Sequence, residues 1–447
     1  MKKIAAYFKN QDVQNRVLFT LAIFLVFRIG SAITVPGVNV ENASSLWDDS
    51  SSFSILNMMG GGALANFSLL ALGVSPYITS QIIIELLSMD VLPALSEMSK
   101  EGESGQKKID VVTRLLSVVL GAVQSYGIIV ALVNSKGITL TDSTPWGYAK
   151  IIIFMVAGTM MLEWMGDQIT DKGIGNGISM LIGAGIIAEL PSQIVSAFQN
   201  FLGDKVQSGD PSLILKGSVQ IVVYLLALFL IIIFVTFIEK SVRKLPVSHS
   251  NTSQNNDLSS EQSSFLPLKV NVSSVMPVIF AVSLMMMPAI LVSLFSNGNP
   301  PKWAQVLEDV FNYQKMTEMT SSFSFPWGTI IYAVLIILFS YFYAQLQINP
   351  ERIAQNFQES GTYITGIKPG AETETYISKT LNRITFLGSM SLVVVSLLPV
   401  VLALSGAVPQ SLAIGGTGLI IVVGVALEVD NQINGILAGN GYAESEL

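Results

Sequence analysis

The chain is 447 residues long, 51% hydrophobic and only 12% charged, about half the charged share of an ordinary soluble domain. It has no cysteine and one histidine, which excludes disulfides, thiolate metal sites, cysteine nucleophiles and any histidine-built metal centre or proton relay. The net charge of −7 says little about partners, because the 24 basic and 31 acidic residues are unevenly placed.

Apolar runs near twenty residues recur along the chain, each long enough to cross a hydrocarbon core of about 30 Å. In chain order they predict spans over 17–35, 67–89, 112–134, 147–166, 174–190, 217–238, 271–296, 327–348, 384–405 and 411–428. The first is preceded by basic residues, but its apolar stretch is too long for a signal h-region and no small-residue cleavage site follows, so no removable leader is expected. Lys and Arg in the connections set the orientation. Seventeen of the 24 fall on the side of the N-terminus and of connections 2–3, 4–5, 6–7 and 8–9, against six opposite, so both termini are expected in the cytoplasm.

Connections 6–7 and 8–9, about 239–270 and 349–383, are the largest on that side and read as protruding docking surfaces or as solvated linkers. The stretch from Ser248 to Ser264 is almost wholly Ser, Asn, Gln and acid, a composition that predicts a mobile tip.

Ten spans divide into five plus five, and an odd number per half inserts the halves upside down relative to each other. Such inverted repeats leave weak internal similarity at matching spans. Val74-Ser75-Pro76-Tyr77-Ile78 and Val275-Met276-Pro277-Val278-Ile279 both read V-x-P-x-I, each in the second span of its half. Proline there removes a backbone donor and is expected to loosen the preceding turn. Two such helices could face each other where the halves meet.

No GxxxxGK[ST] phosphate loop occurs, and with His249 in a polar loop no Ser-His-acid arrangement is credible, so no catalytic residue and no cofactor is expected. Apart from charges close to span ends, such as Glu163, those inside spans are few: Arg28 and Glu85. A cotransporter would usually carry more of them, paired and central, which favours a pore or scaffold.

Nine stretches then carry a specific likeness: FRIGSAITVPG (27–37), GGGALANFSLLALGVSPYITSQIIIELL (60–87), KEGESGQKK (100–108), GDQITDKGIGNGISM (166–180), LPLKVNVSSVMPVIFA (266–281), INPERIAQNF (348–357), GIKPG (366–370), LNRIT (381–385) and GGTGLIIVVGVALE (415–428). In order and spacing the chain resembles the SecY family of protein-translocating channels. The resemblance implies an all-α membrane protein: an N-terminal half at 1–190, an external connector at 191–216, a C-terminal half at 217–428 and a cytoplasmic tail at 429–447.

By the same resemblance a collar of aliphatic side chains closes the pore at Val74, Ile78, Ile178, Ile182, Ile279 and Ile421. A narrow apolar ring blocks ions by dewetting. Ordinary helix packing is the alternative for each position. A short plug helix is implied within 53–65, at Phe53, Leu56, Met59, Gly60, Gly61, Gly62 and Ala65. Its glycines give little helix stability, which suits an element that must leave; a re-entrant connector is the other reading. Thr79, Gln124 and Asn271 match a lateral gate through which hydrophobic segments reach lipid, and Arg243, Lys244, Lys368 and Arg383 match the docking surface.

The implied partners are SecE-like and SecG-like small membrane subunits, the SecA ATPase or the ribosome, signal peptides, secretory polypeptides and membrane lipid. The chain departs from the family where Val247-Ser248-His249-Ser250-Asn251 replaces a basic loop tip, where Lys368 and Glu85 replace Arg and Gln, and where Asn440 to Leu447, with Glu444 and Glu446 and no Lys or Arg, replaces a basic tail. These changes leave open a specialised second copy with its own motor and clients. A small-solute transporter and a non-conducting insertase-like scaffold are the rivals from other classes.

Overall fold

The computed structural model describes residues 10–40, 57–58, 60–89, 91–134, 137–203, 211–249, 265–295, 301–313, 317–320, 323–404 and 410–445. Thirteen helices are described: α1 (Gln11–Ala32), α2 (Ser75–Ser88), α3 (Pro93–Lys100), α4 (Glu103–Asn134), α5 (Pro145–Lys172), α6 (Gly177–Phe198), α7 (Pro211–Glu239), α8 (Met276–Phe295), α9 (Lys302–Phe311), α10 (Trp327–Gln347), α11 (Pro350–Glu359), α12 (Ala371–Leu404) and α13 (Gln410–Ser445). Strands β1 (Val38–Val40) and β2 (Ile138–Leu140) pair, as do β5 (Thr317–Thr320) and β6 (Phe323–Phe325). β3 (Val242–His249), β4 (Phe265–Lys269) and β7 (Thr362–Ile364) form a three-stranded antiparallel sheet with β3 in the middle.

Eight helices among the described residues are long and apolar enough to cross a membrane, and a bent pair beginning at Ser75 makes up to nine. The chain is a multi-pass membrane protein. The two expected spans that fall short are the two that carry the V-x-P-x-I repeat. α2 has only 14 residues, about 21 Å at helical rise. The second is a shorter apolar helix, Met276–Val292, within α8. Neither proline loosens a helix; each begins one. Pro76 lies in the first turn of α2 and Pro277 is the second residue of α8, positions where the missing N–H has no helical partner to lose.

Residues 67–74, expected as helix, instead run as turns continuous with 60–66. Irregular backbone is tolerated at membrane depth only when protein covers it, and Ala63, Leu64, Phe67, Leu70, Ala71 and Leu72 are each at most 1% exposed. The repeat is also visible in the backbone. Gly73 (φ 58°) and Ser274 (φ 50°), one residue ahead of each copy, are both left-handed. The first helical bonds match as well: Ile78 N–H donates to Val74 O at 3.1 Å, and Ile279 N–H to Val275 O at 3.2 Å.

The last helix runs past its expected span end at 428. α13 continues unbroken to Ser445, and its Val429, Ile433, Ile436 and Leu437 pack with Val13 and Val17 of α1 and with Ile174. At the connector between the halves, α6 passes through Pro191 into a π-helical turn, Gln199–Gly203, where Ala197 and Phe201 pack on Ile221 and Tyr224 of α7.

Candidate functional site

The halves meet where α8 packs against α2 and α4, and where α13 packs against α6. One large buried cluster runs through this seam. It includes Val74, Ile78, Ile182, Ile279 and Ile421, with Ile178 partly buried against it. Val74 and Ile78 come from the start of α2, Ile178 and Ile182 are one turn apart on α6, Ile279 opens α8 and Ile421 lies in α13. The chain therefore brings all six aliphatic positions into one core that spans both halves.

Of the expected gate residues, Thr79 and Gln124 lie on α2 and α4, which pack against α8. The Thr79 hydroxyl donates to Ser75 O at 3.0 Å within α2, so it is satisfied by its own helix. Gln124 of α4 is buried, and its Oε1 has no partner among the described residues. Two more buried oxygens at this seam are in the same condition: Glu85 Oε2 on α2 and Ser283 Oγ on α8. Asn271 is not on a helix. It sits in the turn before α8 and donates through Nδ2 to Glu239 Oε1 at 2.7 Å and to Ser274 O at 3.0 Å. Ser274 Oγ donates to the same Glu239 oxygen at 3.3 Å. Glu239 was missed in the sequence because an acid directly before Lys240 reads as the ordinary polar end of a span.

Phe53, Leu56 and Met59 lie outside the described residues. Asn57 and Met58 are helical, and Gly60, Gly61, Gly62 and Ala65 lie in turns. Gly61 and Gly62 adopt φ of 65° and 81°, and a Cβ at Gly61 would come within 3.0 Å of Gly185 Cα on α6. Arg28, in the apolar part of α1, donates through Nη1 to Gly61 O at 2.7 Å. Glu189 of α6 stands on the other side, its Oε2 3.2 Å from where a Gly62 Cβ would be. The intramembrane charge at Arg28 thus has a local use: it holds the glycine turn.

Glu163 and Asp167 of α5 share one cation. Arg114 Nε lies 3.1 Å from Glu163 Oε1, and its Nη2 lies 2.6 Å from Asp167 Oδ2, tying α4 to α5. Ser117 Oγ donates to the other Glu163 oxygen at 3.3 Å.

The docking candidates come together through the sheet. Arg243 and Lys244 are exposed on β3, with Lys244 Nζ 4.5 Å from the centroid of the Phe265 ring on β4. Lys368 is exposed in the turn that follows β7, and its carbonyl accepts the Thr373 hydroxyl at 2.9 Å. Arg383 is exposed on α12, whose Ile384 packs beneath the sheet with Leu245 and Leu268. Connections 6–7 and 8–9 are therefore one surface: Val247, Ser248 and His249 pair with Ile364, Tyr363 and Thr362. Ser248 and His249, expected in the mobile tip, are strand; residues 250–264 lie outside the described set.

A family model for SecY matches residues 68–429. The protein translocase subunit SecY of Bacillus licheniformis is 42% identical over 99% of this chain and 98% of its own length. The protein translocase subunit SecY 1 of Lactobacillus kefiranofaciens is 40% identical over 97% of each. Among solved structures, one of a protein conducting channel aligns with a TM-score of 0.63 at 17% identity, covering 94% of this chain and 91% of that one. The canine Sec61 in a ribosome-channel complex aligns with a TM-score of 0.61 at 16% identity over 94% and 91%. Sequence and fold agree from end to end, and the chain belongs to the SecY family of protein translocase subunits.

Proposed function

We propose that this chain forms the conducting pore of a translocase in the cytoplasmic membrane, both termini in the cytoplasm. Unfolded secretory polypeptides cross through it, and hydrophobic segments leave sideways between α2 and α8. The observation that carries this reading is that Val74, Ile78, Ile182, Ile279 and Ile421, with Ile178 packed against them, share one buried hydrophobic cluster drawn from both halves. Aliphatic side chains form no directional bonds, so they part around any polypeptide and close behind it, while the apolar wall sheds water and stops ions. A small-solute transporter would need a polar, ion-binding site in that position.

Energy comes from a partner, a SecA-type ATPase or the ribosome, docked on the β3–β4–β7 sheet through Arg243, Lys244, Lys368 and Arg383. SecE-like and SecG-like subunits accompany the chain in the bilayer. The glycine turn at 60–62, held by Arg28, is the base of a plug on the external side of the collar. Replacing Ile182 and Ile279 together with Ser tests the collar: the wall becomes wettable, and vesicles carrying the variant should leak ions that the parent retains. A double variant as ion-tight as the parent would place the constriction elsewhere.

A further inference from the structure

Glu85 is the only charged residue of α2. Its Oε1 accepts Gln81 Nε2 at 2.8 Å and the Tyr343 hydroxyl at 3.4 Å, while its Oε2 is buried and has no partner among the described residues. Tyr343 belongs to α10, in the other half of the chain, and its ring meets Phe280 of α8 edge-on at 5.1 Å. The end of α2 is thus tied across the seam by one carboxylate, half of which is unused.

A buried acceptor without a donor is costly. A cation fills it best, through a shorter bond about twice as strong as a neutral one. The Tyr343 contact is long for an O–H···O bond, so it is the first to yield to a competitor. No Lys or Arg among the described residues is paired with Glu85.

A secretory signal offers that cation, in a positively charged segment followed by about 7–15 apolar residues. From Glu85 back to Ser75, where α2 begins beside Val74 and Ile78, the helix runs about 15 Å, the length of about ten residues. An apolar signal helix lying along α2 from the collar therefore brings its basic end level with Glu85.

We propose that Glu85 is a specificity-determining acid for the basic end of a signal segment: Oε2 takes the incoming Lys or Arg, the Tyr343 hydroxyl is released, and α2 is untied from α10. This rests on the channel reading above.

The test uses the full chain with its motor in vesicles and two precursors that differ only in two Lys or two Gln ahead of the apolar segment. The parent should favour the basic precursor. Glu85→Gln keeps the shape and the Gln81 and Tyr343 contacts, and should lower the basic-to-neutral ratio about tenfold. Tyr343→Phe leaves Oε2 in place, so it should keep the ratio while speeding the neutral precursor. Because the chain has no cysteine, Glu85→Cys should form a disulfide with a cysteine placed at the precursor's basic position and not with one beyond its apolar segment. An unchanged ratio in Glu85→Gln, an equal fall for both precursors, or no disulfide would each overturn the assignment. A parent that passes neither precursor would overturn the channel reading, and this assignment with it.

Discussion

Ser274 occupies a left-handed backbone that costs an L-residue about 1–2 kcal/mol, a cost its counterpart Gly73 avoids. The strain is held by the buried network around it, in which Glu239 Oε1 receives both Asn271 Nδ2 and Ser274 Oγ. Glu239→Ala leaves two donors without this acceptor and should destabilise the fold by about 1–3 kcal/mol, read as a lowered Tm in detergent. Adding Ser274→Gly should recover part of the loss, because the turn no longer needs to be held. No recovery would mean that the network supports something other than this turn. The V-x-P-x-I echo was legible in the sequence. The left-handed residue ahead of it was not, because Gly73 announces φ > 0 and Ser274 does not.

At the scale of elements, apolar runs located the spans but misjudged 67–74 and stopped the last span at 428, short of the end of α13. A segment buried in protein must be apolar whether it is helix or turn, so hydropathy alone reads Phe67–Val74 as membrane helix. The continuation of α13 was hidden by its polarity, since Gln432 and Asn434 look like tail while Ile433 and Leu437 pack inward. The joining of β3 to β7 was not legible at all: residues more than a hundred positions apart pair there through backbone bonds, which leave no pattern in side-chain type. Lys368 follows that junction. Lysine keeps long-range attraction for a partner but lacks the five-donor fork of arginine. Lys368→Arg should therefore support translocation at least as well as the parent with a SecA motor. Lys368→Glu should impair it strongly in reconstituted vesicles. Parental rates from Lys368→Glu would move the docking contact elsewhere on the sheet.

For the whole molecule, the basic residues predict sidedness: a reporter fused after Ser250 or Ala371 should be cytoplasmic, and one after Ser208 external. An external signal at Ser250 would reverse the orientation of every span. The family was legible because its nine stretches each leave a mark along one segment. The contacts of Arg28 with Gly61 and of Glu85 with Tyr343 were not, because each depends on which segments fold against each other.

The three-stranded sheet has a mechanical consequence. β3 leaves α7, β4 leads through Asn271 into α8, and β7 stands between α11 and α12, so the sheet is a yoke fastened to helices of the C-terminal half. A push on either connection is shared by both, because a strand of one hydrogen-bonds a strand of the other. A force applied to the sheet is passed by β4 to α8, the helix that packs on α2 and α4, along a lever only a few residues long.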